Sequence, residues 1–179
     1  MWGIRVAAVA AVVGAALSFA PMAGAADSVR AEGVHCVYPV VDQRADGEFV
    51  IGAVKCFDTF SAATFHATGG LVRLPADMGP DAYVHSSLVA TTFTLGIHYD
   101  YYNGGGDSRT VVGSSCSGGY WDTPASFANR TSSSYAGCRT LVHYDDTGMG
   151  GSSATTVGSG VTHNLTSFYN RTESVQYLP

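Results

Sequence analysis

Apolar and polar side chains alternate in the C-terminal half of the chain. Leu95, Ile97 and Tyr99 are separated by single residues. A similar alternation returns from Leu141 or Val142 to Tyr144, and Val142 and Tyr144 have the same spacing. Alternation with a period of two is typical of strands with one buried face, and the glycine-rich stretches between these positions predict tight turns. Neither region shows a sustained helical period. The pattern therefore predicts an all-β architecture for this half of the chain.

Residues 26–93 follow a different pattern, which predicts a small α+β segment. Val34–Val41 and Phe49–Phe57 are expected to form two strands, and Leu71–Pro75 resembles a short strand that ends at the proline. Between them, Asp58 is placed to cap a short helix over Thr59–Thr68, which a glycine pair ends. Whether this segment is a subdomain or an extension packed on the rest of the chain stays open.

Residues 1–25 have the features of a secretory signal peptide. Arg5 supplies a positive charge, an uncharged run follows from Val6 to Phe19, and Ala23-Gly24-Ala25 offers the small residues that a signal peptidase reads. The apolar run is shorter than the roughly 20 residues that span a bilayer. The alternative is a retained N-terminal anchor. We expect a protein that is secreted and works outside the cell.

The charge balance argues against two classes of partner. The chain carries 9 Lys and Arg against 14 Asp and Glu, which gives a formal net charge of −5, and it has no basic cluster. Nucleic acids and anionic membranes attract basic surfaces. We therefore expect neither to be a partner.

Four cysteines follow the predicted signal: Cys36, Cys56, Cys116 and Cys138. An even number in an exported protein predicts two disulfides, and four cysteines can pair in three ways. We favour Cys36–Cys56 and Cys116–Cys138, because each pair lies within one segment and closes a loop of about twenty residues. A zinc site is the alternative, although the chain has no Cys-x2-Cys pair.

An internal repeat divides the C-terminal region into two parts. Ile97-His98-Tyr99-Asp100 returns as Val142-His143-Tyr144-Asp145, and Phe127-Ala128-Asn129-Arg130-Thr131 returns as Phe168-Tyr169-Asn170-Arg171-Thr172. The offset is 45 residues for the first pair and 41 for the second, so the second copy has a shorter middle. We assign residues 94–179 to one domain of two repeats, 94–137 and 138–179, that pair face to face as a sandwich.

The two repeats resemble the double Greek-key motif of βγ-crystallins, in the form found in secreted bacterial proteins. In that family a folded hairpin begins with an aromatic residue and closes on a glycine. Tyr99 and Gly106 match these positions in the first repeat, and Tyr144 and Gly151 match them in the second. The glycine is needed because the hairpin folds back with a positive φ. The resemblance also implies that a later serine hydrogen-bonds each hairpin, and the matching residues are Ser133 and Ser174.

The resemblance further implies a calcium site, and here the chain departs from the family pattern. The first Asn or Asp of the calcium signature is Ala128 in one repeat and Tyr169 in the other. The remaining oxygen ligands are Asn129, Ser132, Asn170 and Glu173. Calcium prefers about six to eight oxygens. We therefore expect at most weak calcium binding, and no required cofactor.

The chain lacks the sequence signals of common enzymes. It has no Gly-x-Ser-x-Gly and no His-Glu-x-x-His, and Cys116 is expected in a disulfide. His98 and His143 occupy equivalent repeat positions, one step from a tyrosine that is expected to point inward. We expect both histidines to face solvent and not to bind a metal. No catalytic residue is expected.

The resemblance implies a protein that acts by binding. One group of secreted bacterial proteins with this fold resembles inhibitors of extracellular metalloproteases, and a disulfide-stabilised scaffold suits an inhibitor because it stays ordered while it presents a loop. We expect the contacts in the loop Ser114–Ser126, at Tyr120 and Trp121. The alternatives are a calcium-binding structural or stress protein and an antimicrobial protein of the killer-toxin-like kind. We expect a monomer whose partner is an extracellular protease.

Overall fold

The protein is mostly β-sheet with few helices, which agrees with the all-β part of the expected fold class. The computed structural model describes residues 33–76, 78–79 and 94–179, so the predicted signal peptide and parts of segment 26–93 lie outside the described residues. The strands are β1 His35–Gln43, β2 Phe49–Ile51, β3 Lys55–Phe57, β4 Thr94–Tyr99, β5 Ser108–Val112, β6 Tyr120–Asp122, β7 Ser133–Ala136, β8 Thr140–Tyr144, β9 Ser153–Val157, β10 Thr162–Asn164 and β11 Ser174–Leu178. The helix α1 covers Phe60–Ala67. Short 3-10 turns cover Tyr102–Gly104, Thr147–Met149 and Thr166–Phe168.

The strands form two sheets that exchange a strand. The first sheet has the order β10-β7-β4-β5-β1-β2, with β3 also paired to β1, and the second has the order β6-β11-β8-β9. The first, second and fourth strands of each repeat stay in one sheet. The third strand crosses over, because β6 of the first repeat pairs with β11 and β10 of the second repeat pairs with β7. Each sheet therefore contains strands of both repeats.

An apolar interior lies between the two sheets. Its buried side chains are Cys36, Tyr38, Phe49, Leu95, Val111, Trp121, Ala136, Cys138, Leu141, Val175 and Tyr177. Trp121 of β6 stacks on His98 of β4 with 5.6 Å between the ring centroids. Full burial of one large apolar side chain stabilises the fold by about 1.5–3 kcal/mol. The two repeats thus share one core to which both contribute.

The N-terminal segment is an extension of the first sheet. β1 runs parallel to β5, and its other edge carries β3 and β2 in succession. The single strand expected over Phe49–Phe57 is wrong, because two short strands take its place. Pro39 lies at the break between them: it has no N–H to donate, and its carbonyl accepts the Gly52 N–H at 2.8 Å.

Both disulfides are formed with the favoured pairing, which is confirmed. Cys36–Cys56 joins directly opposed residues of β1 and β3. Cys116–Cys138 joins the loop after β5 to the turn before β8. Each stabilises the fold by about 3 kcal/mol in the chain-entropy model. Two disulfides indicate that the protein matures in an oxidising compartment.

The helix α1 begins one residue later than the sequence predicts. Thr59, and not Asp58, is the N-cap, and its Oγ1 accepts the Ala62 N–H at 3.2 Å. Phe60 is buried with Ile97 on the outer face of the first sheet. The described part of the chain contains no helix that is both long and apolar enough to cross a membrane.

The strand expected over Leu71–Pro75 is wrong. These residues pair with no strand; instead, Val72 and Leu74 pack into the cluster under α1. Ser61 of the helix donates its hydroxyl to the Leu74 carbonyl at 2.7 Å. The helix and this segment together cover the outer face of the first sheet.

His98 and His143 are buried in the interior, and the expectation that they face solvent is wrong. Neither side chain has exposed surface, and their rings meet edge to face with 5.6 Å between centroids. His98 Nε2 lies 2.9 Å from the Tyr177 hydroxyl, and His143 Nε2 lies 3.1 Å from Thr156 Oγ1. Hydrogen bonds therefore replace part of the water that each imidazole loses.

The error has a physical cause in the cover provided by α1. Ile97 and Tyr99 pack under the helix on the outer face of β4, so His98 points to the other face and into the core. A strand buried on both faces does not alternate between apolar and solvent-facing residues. In β8 the histidine shares the inward face with Leu141, whereas Tyr144 is only half-buried.

Burial keeps both imidazoles neutral. Desolvation lowers the pKa of His98 well below its usual value, with His143 as a second cause, and desolvation lowers the pKa of His143 to about 3. In the unfolded chain a histidine titrates at about 6.5. The unfolded state therefore binds more protons below about pH 6.5, and stability falls as the pH drops from there towards about 3.

We predict that His143→Gln flattens the acid side of the stability profile. At pH 3, protonation of His143 in the unfolded chain removes about 4 kcal/mol of wild-type stability, and the variant has no such group. Urea unfolding at a series of pH values from neutral to about 3 measures the effect. His163→Gln, at a partly exposed histidine of β10, is the control and should follow the wild type. Equal acid slopes for wild type and His143→Gln would contradict the prediction.

Candidate functional site

A buried serine holds the folded hairpin of each repeat. Ser133 Oγ donates to the Tyr101 carbonyl at 2.6 Å and accepts the Gly104 N–H at 3.0 Å. Ser174 Oγ makes the same pair of bonds to the tip of the second hairpin, at 2.7 Å and 3.0 Å. Neither serine has exposed surface, so water does not compete for these bonds. The two hairpin tips are thus fixed in equivalent ways.

The glycine that closes each hairpin is required by space as well as by backbone conformation. Gly106 has φ 71° and Gly151 has φ 73°, both in the left-handed region. A Cβ atom at either position would overlap the carboxylate of Asp100 or Asp145. Each hairpin therefore folds onto an aspartate of its own repeat.

The leading tyrosines of the two hairpins lie in different environments. Tyr99 is fully buried and faces Phe60 of α1 with 6.2 Å between ring centroids. Tyr144, at the matching position, is half-buried, and its hydroxyl donates to Gln176 Oε1 at 3.2 Å. Tyr99 is more deeply buried than Tyr144 because α1 covers the outer face of the first sheet.

The predicted calcium ligands form two clusters, each built from both repeats. In the first, Ser132 Oγ lies 2.5 Å from the Asp100 carbonyl oxygen, 2.9 Å from Asn170 Oδ1 and 3.4 Å from the Arg130 carbonyl oxygen. We call these four residues the first polar cluster. A hydroxyl has only one proton to donate, so acceptor oxygens outnumber the available hydrogen. The Ser132 hydroxyl can therefore donate to only one of these three oxygens at a time.

The second polar cluster, Asn129 and Glu173, is the counterpart in the other half. Asn129 Nδ2 donates to Glu173 Oε1 at 2.6 Å. The backbone is equivalent in both clusters, since the N–H of Asn129 bonds Thr172 at 2.9 Å and the N–H of Asn170 bonds Thr131 at 3.1 Å. Here the amide already satisfies the carboxylate. The second cluster is therefore less suited to a cation than the first.

Two arginines neutralise the carboxylates beside these clusters. Arg130 Nη2 lies 2.5 Å from Asp100 Oδ2 and 3.1 Å from Asp107 Oδ2, and Arg171 pairs with Asp145. Partial desolvation acts to raise the pKa of Asp145, but hydrogen bonds from Arg171 and the backbone outweigh it, so the pKa lies below its usual value. The guanidinium groups reduce the negative potential that attracts Ca²⁺.

The first polar cluster contains only neutral oxygens around Ser132 Oγ. It offers two carbonyl oxygens, a hydroxyl and an amide oxygen, and calcium accepts such neutral oxygen ligands. No group of three or more His, Cys, Asp and Glu residues suited to a metal occurs among the described residues. Without a carboxylate ligand the affinity is expected to be low.

Tyr120 and Trp121 are buried, and the expectation that they contact a partner is wrong. Their exposed fractions are 8% and 3%. The reason is that β6 is a strand of the second sheet and not a free loop. The Tyr120 N–H also donates to the Gly47 carbonyl at 3.0 Å, which covers the outer edge of β6.

In the segment Ser114–Ser126, which the sequence predicts to be a loop, the serine-rich beginning is exposed. Ser114, Ser115 and Ser117 line a shallow groove of about 270 Å³ together with Gln43 and Phe49. Ser117 Oγ donates to Gln43 Oε1 at 2.7 Å. Asp42 is the one charged residue that lines this groove, so we assign the groove no ligand.

Three tyrosines are exposed, two in the first folded hairpin and one after the 3-10 turn Thr166–Phe168. Tyr101, Tyr102 and Tyr169 have exposed fractions of 63%, 42% and 46%, and the rings of Tyr102 and Tyr169 lie 5.1 Å apart between centroids. We call these residues the tyrosine surface. It joins the first hairpin to the second repeat.

Sequence reasoning did not find Tyr169 as part of this surface. In the sequence analysis, Tyr169 is named only as a departure from the calcium signature. The available signal was that a large aromatic residue occupies a position where the family has a small ligand residue. The contact with Tyr102 depends on the packing of the two repeats, which no local pattern reveals.

The site is therefore described from its own geometry. No family model, no curated protein and no solved structure matches the chain. The two polar clusters and the tyrosine surface are the features of the described residues with functional chemistry.

Proposed function

We propose that the chain is a secreted, non-catalytic binding protein whose residues 94–179 form a βγ-crystallin-like domain of two Greek-key motifs. The exchange of β6 and β10 between the sheets supports the fold assignment. The bonds from Ser133 and Ser174 to the hairpins support it as well. The two disulfides support export.

The target that we propose is an extracellular metalloprotease, which the protein inhibits. The tyrosine surface is the observation that carries this proposal. Tyrosine is enriched in protein interfaces because its ring offers a large contact area and loses little conformational freedom on binding. Exposed aromatic rings in mutual contact provide the kind of anchor that contributes most of the energy of an interface.

The support beneath the tyrosine surface is rigid. Asn103, next to Tyr102, exchanges two hydrogen bonds with Asn164, at 2.7 Å and 2.8 Å. Ser133 holds the same hairpin from below. Asn170, next to Tyr169, is bonded through its side chain to the first polar cluster. A surface that is ordered before binding loses less entropy on association, which favours tight inhibition.

We predict that the mature protein inhibits a secreted metalloprotease and that Tyr102→Ala weakens this inhibition. Loss of an aromatic anchor typically costs about 2 kcal/mol or more, which is roughly a thirtyfold increase in the inhibition constant. The measurement is residual activity of a panel of purified extracellular metalloproteases against inhibitor concentration.

Leu71→Ala provides the matched control, since Leu71 is a 71% exposed apolar residue outside the tyrosine surface. It should inhibit as the wild type does. If the wild type leaves every protease of the panel active at micromolar concentration, the proposed target is wrong. If Tyr102→Ala and Tyr169→Ala both inhibit fully, the target stands and the tyrosine surface is not the contact.

A second function, weak calcium binding in a structural or stress role, is favoured by the first polar cluster. Its acceptor oxygens crowd around a single hydroxyl proton, and a divalent cation would relieve this crowding. The ligands come from both repeats, so a bound ion would stabilise their association.

We predict that calcium at ten times its dissociation constant stabilises the native state by about 1.4 kcal/mol. Thermal unfolding and calorimetric titration with calcium up to millimolar concentration measure this effect. Asn170→Ala should abolish it, because that change removes the only ligand of the first polar cluster from the second repeat. Asn164→Ala, at another exposed amide, should leave it intact. Absence of both heat and stabilisation in the wild type would exclude the site.

A further inference from the structure

The exposed edges of the two sheets differ in how they are protected. β10 and β2, at the ends of the first sheet, have three residues each, and the pairing of β2 with β1 contains a register shift. β6, at one end of the second sheet, is covered by the chain at Gly47 and Glu48. β9, at the other end, has five residues in unbroken register with β8. Short strands, bulges and covering segments are the usual protection against strand pairing, and β9 has none of them among the residues that the structure describes.

The composition of β9 also leaves it unprotected. Its sequence Ser-Ala-Thr-Thr-Val contains no charge and no proline. Its last three residues, two threonines and a valine, are β-branched. Charged residues, above all lysine, and prolines are what edge strands use to prevent pairing. Val157, at the end of β9, is 55% exposed. The edge is therefore chemically suited to accept another strand.

The hydrogen-bonding groups of β9 that face outward can be assigned from the register. The Asp145 N–H bonds the Ser152 carbonyl, and the Gly158 N–H bonds the Arg139 carbonyl. Bonded and non-bonded pairs alternate in an antiparallel ladder, so Ala154 and Thr156 bond β8. The N–H and carbonyl groups of Ser153, Thr155 and Val157 then point to the outer edge. None of these three donates to another backbone group within the described part of the chain.

Opposite charges flank the two ends of this edge. Arg139 lies beside Gly158, just after the end of β9. Asp146 lies against Gly150 and Gly151, just before the start of β9. Both side chains belong to exposed residues, and neither forms an ion pair with any residue that the structure describes. Antiparallel alignment of two β9 strands brings the positive end of one towards the negative end of the other. Parallel alignment would bring like charges together.

We propose that β9 pairs antiparallel with β9 of a second copy of this chain, about a two-fold axis at Thr155. Ser153 of one copy then lies opposite Val157 of the other, and each copy donates its three outward N–H groups to the other's carbonyls. The two four-stranded sheets become one continuous sheet. The strands alone bury less than the ~1,000 Å² of a typical stable interface, so the dimer is weak and reversible. The sequence alone predicts a monomer. It could not identify β9 as an exposed edge, because that position depends on the order of the strands in the sheet.

Sedimentation equilibrium of the mature protein at low ionic strength, from low micromolar to near-millimolar concentration, tests the proposal. The average mass of the wild type should rise towards twice that of one chain. Thr155→Pro removes an outward N–H without touching the ladder to β8, and its mass should stay at that of one chain. Thr155→Lys should also keep the mass of one chain, because two lysines would lie opposite each other at the two-fold axis. Thr155 is exposed, so this variant should fold even where the proline variant does not.

The charge arrangement is tested by a swap. Arg139→Glu and Asp146→Arg should each lower the association constant by about fivefold, and the double variant should restore it. Thr166→Lys, at an exposed threonine away from β9, is the control and should associate like the wild type. A wild type that keeps the mass of one chain throughout, or a folded Thr155→Lys that associates as well as the wild type, would overturn the proposal.

Discussion

The exchange of one strand between the two sheets is the constraint on which the rest of the structure depends. β6 carries Trp121 from the first repeat into the second sheet, where it packs against residues of both repeats. β10 completes the first sheet in the same way. Neither repeat can bury its apolar residues without the other, because a single four-stranded unit leaves one face open. The polar clusters depend on the same exchange, since each cluster contains residues of both repeats.

The N-terminal segment adds a third layer to this two-sheet arrangement. β1 extends the first sheet beside β5, and α1 covers its outer face. The two sheets therefore differ: the first is buried on both faces, whereas the second keeps a half-exposed outer face and the free edge strand β9. Functional features are distributed accordingly. The tyrosine surface lies where the first hairpin meets the second repeat, and the free edge strand lies on the sheet that α1 does not cover.

Part of this structure could be predicted from the sequence, and the reason lies in how local each signal is. The β-rich class follows from alternation and glycine-rich turns, and the disulfide pairing follows from short loops such as Cys36 to Cys56. The burial of His98 could not be predicted, because it depends on the cover that α1 provides from a distant part of the chain. Trp121 was misplaced for a similar reason: a strand of three residues that is exchanged between sheets looks like a loop in sequence.

The site shows the same division between local and long-range information. The polar-cluster residues Asn129, Ser132, Asn170 and Glu173 could be named from the repeat, because each lies at a fixed distance along the sequence from a phenylalanine. Their pairing across the repeats, and the arginine pairs that reduce the local negative charge, depend on tertiary packing. The contact between Tyr102 and Tyr169 is likewise long-range.

We infer that the strand exchange makes the two repeats one cooperative unit. Native-state hydrogen exchange in mild denaturant tests it most directly, because it reports the opening free energy of each strand separately. The account predicts that amides of β4, β7, β8 and β11 open with the same free energy and the same denaturant dependence. Loss of protection in residues 138–179 at a clearly lower free energy than in residues 94–137 would contradict it.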